Sequence, residues 1–187
     1  VRLQPVTFQD RDRTEPAPAD FRQVVLPHLD AAYNLARWLV SDASLAQDVV
    51  QDAAMRALGY FATFRSGDGR AWFLRIVRNT AYDVLAARRR GPGGAGSVSL
   101  DDEAAGVHLA DPSDDPETAL ARTERTARLD TALAALPPEL RECLVLHELE
   151  ELSYKDVATI TGVPIGTVMS RLWRARQALM RGSGGTP

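Results

Sequence analysis

Cysteine occurs once in this chain of 187 residues, at position 143, and histidine only at positions 28, 108 and 147. A single thiol excludes an intramolecular disulfide framework and a cysteine-rich metal cluster, and it points to a reducing compartment. His147-Glu148 opens like the metal-binding helix of a zinc protease, but Glu151 stands where the second histidine is required. Cys143 lies on an apolar helical face and reads as core rather than nucleophile. No glycine-rich loop leads into a lysine, so the phosphate cradle of a nucleotide-hydrolysing enzyme is missing; the Gly91 to Gly96 run is followed by Ser97 and acids. Aromatic residues make up only 6%, which suits two small helical modules better than one large β-rich core. Apolar runs stay short of the roughly 18 to 20 residues of a membrane span. Residues 1–20, with Arg2, Asp10, Arg11, Asp12, Arg13 and Glu15, hold no signal-peptide core. The expectation is a cytoplasmic protein that is not an enzyme, takes no metal or cofactor and does not insert into membranes.

What is present is charge, segregated along the chain. The net value of −3 argues against an indiscriminate nucleic-acid binder. Yet residues 65–90 carry Arg65, Arg70, Arg75, Arg78, Arg88, Arg89 and Arg90 against Asp68 and Asp83 alone. Residues 101–117 hold Asp101, Asp102, Glu103, Asp111, Asp114, Asp115 and Glu117 with no cation. From residue 152 onward the balance is basic again, with Lys155, Arg171, Arg174, Arg176 and Arg181 against Asp156. An order of basic, acidic and basic segments describes partners more than fold.

Apolar periodicity predicts an all-α chain of two modules. Asp20 is a plausible cap for a helix carrying Phe21, Val24, Val25, Ala32, Leu35, Ala36 and Leu39 on one side. Ser44 and Gln47 read as a capping box for a second helix with Leu45, Val49, Ala53 and Leu58. After Gly67 and Gly69 a third helix runs from about Arg70, with Leu74, Val77, Ala81, Val84 and Leu85 on one face, to Arg90. The boundaries follow: a flexible extension at 1–19, a first module at 20–90, an acidic flexible linker at 91–117 and a second module at 118–187. In the second module Ala119 to Leu136 reads as helix, and Pro138 restarts a helix with Leu140, Cys143, Leu144, Leu146 and Leu149 as its buried stripe.

The closing segment has the pattern of a helix-turn-helix. Ser153 and Asp156 cap a helix from Tyr154 to Thr161, Gly162-Val163-Pro164 turns the chain, and a longer helix runs from Ile165 to about Met180. Val157, Ala158, Val163, Val168 and Leu172 are placed to lock the pair, so that the opposite face of the second helix, with Thr167, Ser170, Arg171, Arg174 and Arg176, can enter a major groove.

Four anchors in order and spacing extend this pattern: Asp48-Val-Val-Gln51-Asp52-Ala-Ala-Met55-Arg56-Ala-Leu58; Ala71-Trp72-Phe73-Leu74-Arg75-Ile76-Val77-Arg78-Asn79-Thr80-Ala81-Tyr82-Asp83; Leu136-Pro137-Pro138-Glu139-Leu140-Arg141; and Leu152-Ser153-Tyr154-Lys155 through Arg176. With them, residues 20–182 resemble the extracytoplasmic-function group of the sigma-70 family of bacterial transcription initiation factors. The resemblance implies a protein that binds core RNA polymerase through the β′ clamp helices and the β subunit, and directs it to promoter DNA by −10 and −35 recognition with DNA melting. It also implies control by an anti-sigma factor. Core-binding candidates are then Asp48, Gln51, Asp52, Met55 and Arg56, of which Asp48, Gln51, Asp52 and Met55 share one helical face. The −10 candidates are Arg65, Arg70, Trp72, Arg75, Arg78, Asn79, Asp83, Arg88, Arg89 and Arg90. The arginines suit phosphate and an exposed aromatic suits unpaired bases, while Trp72 has packing, and Asp83 an intramolecular pair with a nearby arginine, as the plainer role. The −35 candidates are Lys155, Thr167, Met169, Ser170, Arg171, Trp173, Arg174 and Arg176. Met169 departs from the basic residue common in the family and suits a thymine methyl. The acidic linker takes the place of a segment that larger members thread toward the polymerase active centre. The alternative is a dimeric helix-turn-helix regulator that binds a palindrome without polymerase.

Overall fold

The computed structural model describes residues 20–64, 67–90 and 130–182. The expected extension at 1–19, Arg65, the acidic linker and the start of the helix expected from Ala119 lie outside the described residues. Among the described residues all regular structure is helical, in agreement with the all-α expectation.

In the first unit Asp20 caps α1 (Phe21–Val25), its carboxylate accepting from the Arg22 N–H. The single helix expected here is broken: Pro27 falls in a 3-10 turn at Leu26–His28, because its ring and missing N–H do not continue an α-helical ladder. Helix α2 (Leu29–Val40) follows and ends at Ser41, which takes a left-handed conformation at φ 57°. The cap of α3 (Ala43–Tyr60) is Asp42, which accepts from Leu45 N at 2.9 Å. The expected Ser44 box is therefore displaced by two residues; an aspartate in the extended conformation ahead of the helix captures the first free N–H groups. Leu58, expected in the stripe, is exposed. Asp68 caps α4 (Gly69–Arg90), bonding to the N–H of Arg70 and Ala71. Gly69 allows the close approach of α4 to α1, since a Cβ there would stand 2.7 Å from Val24 Cγ1. Helices α2, α3 and α4 pack mutually, around Leu35, Val49, Phe73, Leu74 and Val77, each no more than 1% exposed.

The second unit begins at a helical stretch over residues 130–134. Pro138 stands in the first turn of α5 (Pro138–Leu144) as expected. The helix then widens into a π turn at Val145–Leu149, closed by Glu150 N–H to Val145 C=O. The wider turn changes the face presented: Leu140, Cys143, Leu144 and Leu146 are buried, but Leu149, expected among them, is exposed. Helix α6 (Tyr154–Thr161) is capped by Ser153 Oγ, which accepts from Asp156 N–H and donates to Asp156 Oδ2. Gly162 closes α6 at φ 73°, a conformation that disfavours any side chain, and α7 (Ile165–Gly182) follows. Val157, Val168 and Leu172 are buried between them as expected, with Ala158 and Val163 partly so.

The two units are in contact. Helix α4 packs on α6, and α2 packs on α5 and the π turn. Arg141, on α5 and 6% exposed, joins them. Its guanidinium donates to the Trp38 carbonyl at 2.6 Å and to Ser41 Oγ at 3.0 Å on one side, and to the carbonyls of Ala134 and Leu136 on the other. The Trp38 carbonyl is one of the acceptors that the end of α2 leaves without a helical partner.

Candidate nucleic-acid interface

The helix-turn-helix presents its second helix outward. Burial of Val168, Leu172 and Ala175 fixes the inner face of α7, which leaves Met169, Ser170, Trp173, Arg174 and Arg176 on exposed positions and Thr167 half-buried. Trp173, at 63% exposure, and Met169, at 53%, are large apolar side chains with no core to enter. Among the described residues Arg174 and Ser170 bond only along their own helix, Arg174 Nε to Ser170 C=O and Ser170 Oγ to Thr167 C=O. Both can therefore be redirected to a groove without disturbing the fold. Lys155 is exposed on α6. Arg176 pairs with Glu148 across the unit, and that hydrogen bond holds its guanidinium pKa above the ordinary arginine value.

On α4 the candidates divide. Arg75 and Asn79 are exposed, as are Arg88, Arg89 and Arg90 at its C-terminal end, where cations complement the helix dipole. Arg88 pairs with Asp42 at 3.2 Å. Trp72 is half-buried in an aromatic cluster, 5.0 Å from Phe64 and 6.2 Å from Phe61, with Phe21 edge-on to Phe61. Its packing role is therefore occupied, and the cluster braces the entry to α4. Asp83 makes an intramolecular pair, as its plainer reading held, but the partner is Arg56 of α3 at 2.7 Å. That bond raises the Arg56 pKa, and it ties a candidate for core binding to one for −10 recognition. The remaining core-binding candidates, Asp48, Gln51, Asp52 and Met55, are exposed together on α3, Met55 at 66%.

Two of the expected phosphate contacts face inward instead. Arg78 of α4 forms a two-point pair with Glu142 of α5, Nε to Oε2 at 2.7 Å and Nη2 to Oε1 at 3.1 Å. Arg171 of α7 reaches the same carboxylate, Nη1 to Oε1 at 3.2 Å. The Glu142 side chain is fully buried. Burial by itself pulls the Arg78 pKa down, but the hydrogen bond and charge of Glu142 reverse that, and the net direction is upward. Arg78 also lies 4.5 Å over the Tyr82 ring. The Tyr82 hydroxyl is buried with no hydrogen-bond partner among the described residues, and burial followed by the Glu142 charge pushes its pKa upward. A second contact has the same form: Arg70, at the start of α4, pairs with Glu150 at 2.8 Å, and Asn34 of α2 donates to the other oxygen of Glu150 at 3.0 Å.

Glu142, Glu150, Arg141 and Asn34 are the residues that sequence reasoning missed. For Glu142 a signal exists, since it lies within the Leu140 to Leu144 segment beside Cys143, where a charged side chain needs a partner. The partners come from helices 64 residues before and 29 after it, and periodicity does not reach that far.

Comparison with known proteins places both units in one family. The Sigma-70 region 2 family matches residues 24–91, and the Sigma-70, region 4 family matches residues 126–179. The RNA polymerase sigma-H factor of Pseudomonas aeruginosa is 39% identical over 85% of this chain and 83% of its own length. The ECF RNA polymerase sigma-E factor of Escherichia coli K12 is 36% identical over 71% of this chain and 70% of its own. Among solved structures, the sigma factor RpoE from Bartonella quintana, in complex with the anti-sigma factor NepR, superposes with a TM-score of 0.70 at 30% identity. The match takes in 88% of this chain and 96% of RpoE. CnrH, in complex with the cytosolic domain of CnrY, gives 0.59 at 27% identity over 86% and 85%. With one family matched to each unit, and relatives at 36% to 39% identity over more than two thirds of both lengths, the chain belongs to the extracytoplasmic-function group of the sigma-70 family.

Proposed function

We propose that this sigma factor docks on core RNA polymerase through the exposed α3 face of Asp48, Gln51, Asp52 and Met55. In this reading Arg70, Arg75, Arg78 and Asn79 of α4 act at the −10 element, and Met169, Ser170, Trp173 and Arg174 of α7 act at the −35 duplex. The observation that carries the reading is α7 itself: its inner face is locked by Val168, Leu172 and Ala175, and its outer face offers apolar tips beside a redirectable guanidinium. Arg174 suits a guanine edge or a phosphate, and Met169 suits a thymine methyl. Strand separation falls to α4, where Arg75 and the Arg88 to Arg90 end neutralise phosphates of the displaced strand. Nucleotide addition remains the chemistry of the core enzyme, so this chain contributes recognition and opening.

The anti-sigma complexes of the two structural relatives support a regulating partner of the same class for this chain. Among the described residues no helix is long and apolar enough to cross a membrane. Run-off transcription with purified cognate core polymerase on a library of genomic fragments tests the reading. A set of promoter-dependent products that weaken when Arg174→Ala replaces wild type is expected. No promoter-dependent product from a competent core, or binding of a palindrome by the chain alone, overturns it.

A further inference from the structure

We propose that Arg56, which the resemblance counts among the core-binding candidates, serves −10 recognition instead, as a positioning residue that turns Asp83 toward α3 and neutralises it on the DNA-facing stripe of α4. This rests on the reading of Arg75 and Asn79 as −10 contacts. Residues 75, 79 and 83 follow one another at intervals of four along α4, so Arg75, Asn79 and Asp83 fall on one face, and all three are exposed. Asp83 is the only acidic residue among the 22 of α4. Left bare, its carboxylate would stand in line with two groups assigned to the strand and repel the phosphates brought to them. Arg56 prevents this, its Nη1 meeting Asp83 Oδ2 at 2.7 Å.

The pair does little for the fold. Its side chains are 42% and 63% exposed, and ion pairs open to water contribute little stability. Helices α3 and α4 are packed together without it, with Val49, Ala53 and Ala57 of one and Val77 and Ala81 of the other buried. What the pair changes is charge: Asp83 joins the stripe as half of a neutral unit. Arg56 stands beside Met55 and four residues after Asp52, at the flank of the docking face, yet it is committed to α4. The Asp83 hydrogen bond is the largest influence on its guanidinium and raises its pKa, ahead of the Asp52 charge. An arginine held in this way is occupied, whereas Asp48, Gln51, Asp52 and Met55 remain open to polymerase.

The test uses the full chain in holoenzyme, on a promoter fragment recovered by run-off transcription. Affinity for core polymerase is read by anisotropy of the labelled chain, and strand opening by permanganate reactivity of unpaired thymines. Arg56→Gln bares Asp83. It is expected to bind core polymerase within about twofold of wild type but to lower opening about three- to tenfold, the size of a unit-charge repulsion across roughly 6 Å near water. The deficit should shrink as salt is raised. Asp83→Asn breaks the same pair but frees the Arg56 charge, and is expected to raise opening about twofold or more. The double variant, neutral again, should return to within about twofold of wild type. A clasp with a merely structural role gives another order: both single variants fall alike, and the double is no better. That order overturns the proposal, as does a loss of core affinity in R56Q that matches its loss of opening, which would make Arg56 a polymerase contact. A wild-type chain that opens no promoter with a competent core overturns the functional reading and this proposal with it. Opening by wild type without rescue in the double variant faults this proposal alone.

Discussion

Replacement of Arg141 by methionine probes the join between the units most directly. The side chain is 6% exposed and serves four acceptors, two at the end of α2 and two in the segment leading to α5. A hydrogen bond to a charged donor contributes about 1.5 to 3 kcal/mol, and a buried acceptor left unmade loses a similar amount. Opposing this, the guanidinium is buried with no carboxylate among the hydrogen-bond partners above, and burial pulls its pKa down. Methionine removes that unfavourable desolvation and fills much of the volume. The acceptors dominate, and Arg141→Met is expected to destabilise the chain by about 3 kcal/mol. For a chain of this size each kcal/mol moves the midpoint by about 2 to 4 °C, so a fall of roughly 6 to 12 °C is expected in thermal unfolding followed by circular dichroism. Arg141→Lys keeps the charge, but a compact ammonium does not span acceptors on opposite sides, so about half of that loss remains. Amide exchange in the last turn of α2 should quicken in both variants, because the Trp38 carbonyl and Ser41 lose their anchor. An R141M chain that melts within about 1 °C of wild type, with unchanged exchange there, would refute the account.

Three further outcomes follow from the geometry. The Asp42 carboxyl is held below its ordinary pKa, first by the Leu45 N–H hydrogen bond, against a burial effect of opposite sign. A carboxyl depressed in the folded state stabilises above its unfolded pKa and loses that effect as pH falls through the folded value. The advantage of wild type over Asp42→Asn in urea unfolding should therefore be present at neutral pH and disappear below about pH 4; an advantage independent of pH would contradict it. Gly162→Ala, forced into φ 73°, should destabilise by about 1 kcal/mol in the same assay although no atom lies within 4 Å of the new Cβ. Arg174→Ala should weaken holoenzyme binding to a −35 duplex and reduce the slope of log K against log salt by about 1 if the contact is to phosphate. An unchanged slope with relaxed base preference assigns it to a base edge instead.

Local signals carried the sequence reading far. Ser153 with Asp156, Gly162 and Pro138 act within a few residues of their position, so their roles in capping, turning and restarting helices were legible, and the bounds of α6 agree with expectation. Where local signals competed, the reading slipped. Asp42 outbid Ser44 because it stands in the extended conformation just before α3, and Pro27 broke a helix whose apolar spacing ran through it. Leu149 was read into the core because a 3.6-residue period was assumed to continue, whereas the π turn at Val145–Leu149 adds a residue to that turn and sends Leu149 outward.

By itself the sequence determined an all-α chain, its helix-turn-helix, the segregated charge and, through ordered anchors, the sigma-70 family. These rest on periodicity, capping and spacing, which act over one or two helical turns. Only the tertiary structure decided which charges are free. Arg75 and Arg174 look the same in sequence as Arg78 and Arg171, yet the first two stand in water and the second two close on Glu142. The physical reason is that a buried carboxylate selects its partners by proximity in space, and proximity between α4, α5 and α7 is set by packing of helices far apart in the chain.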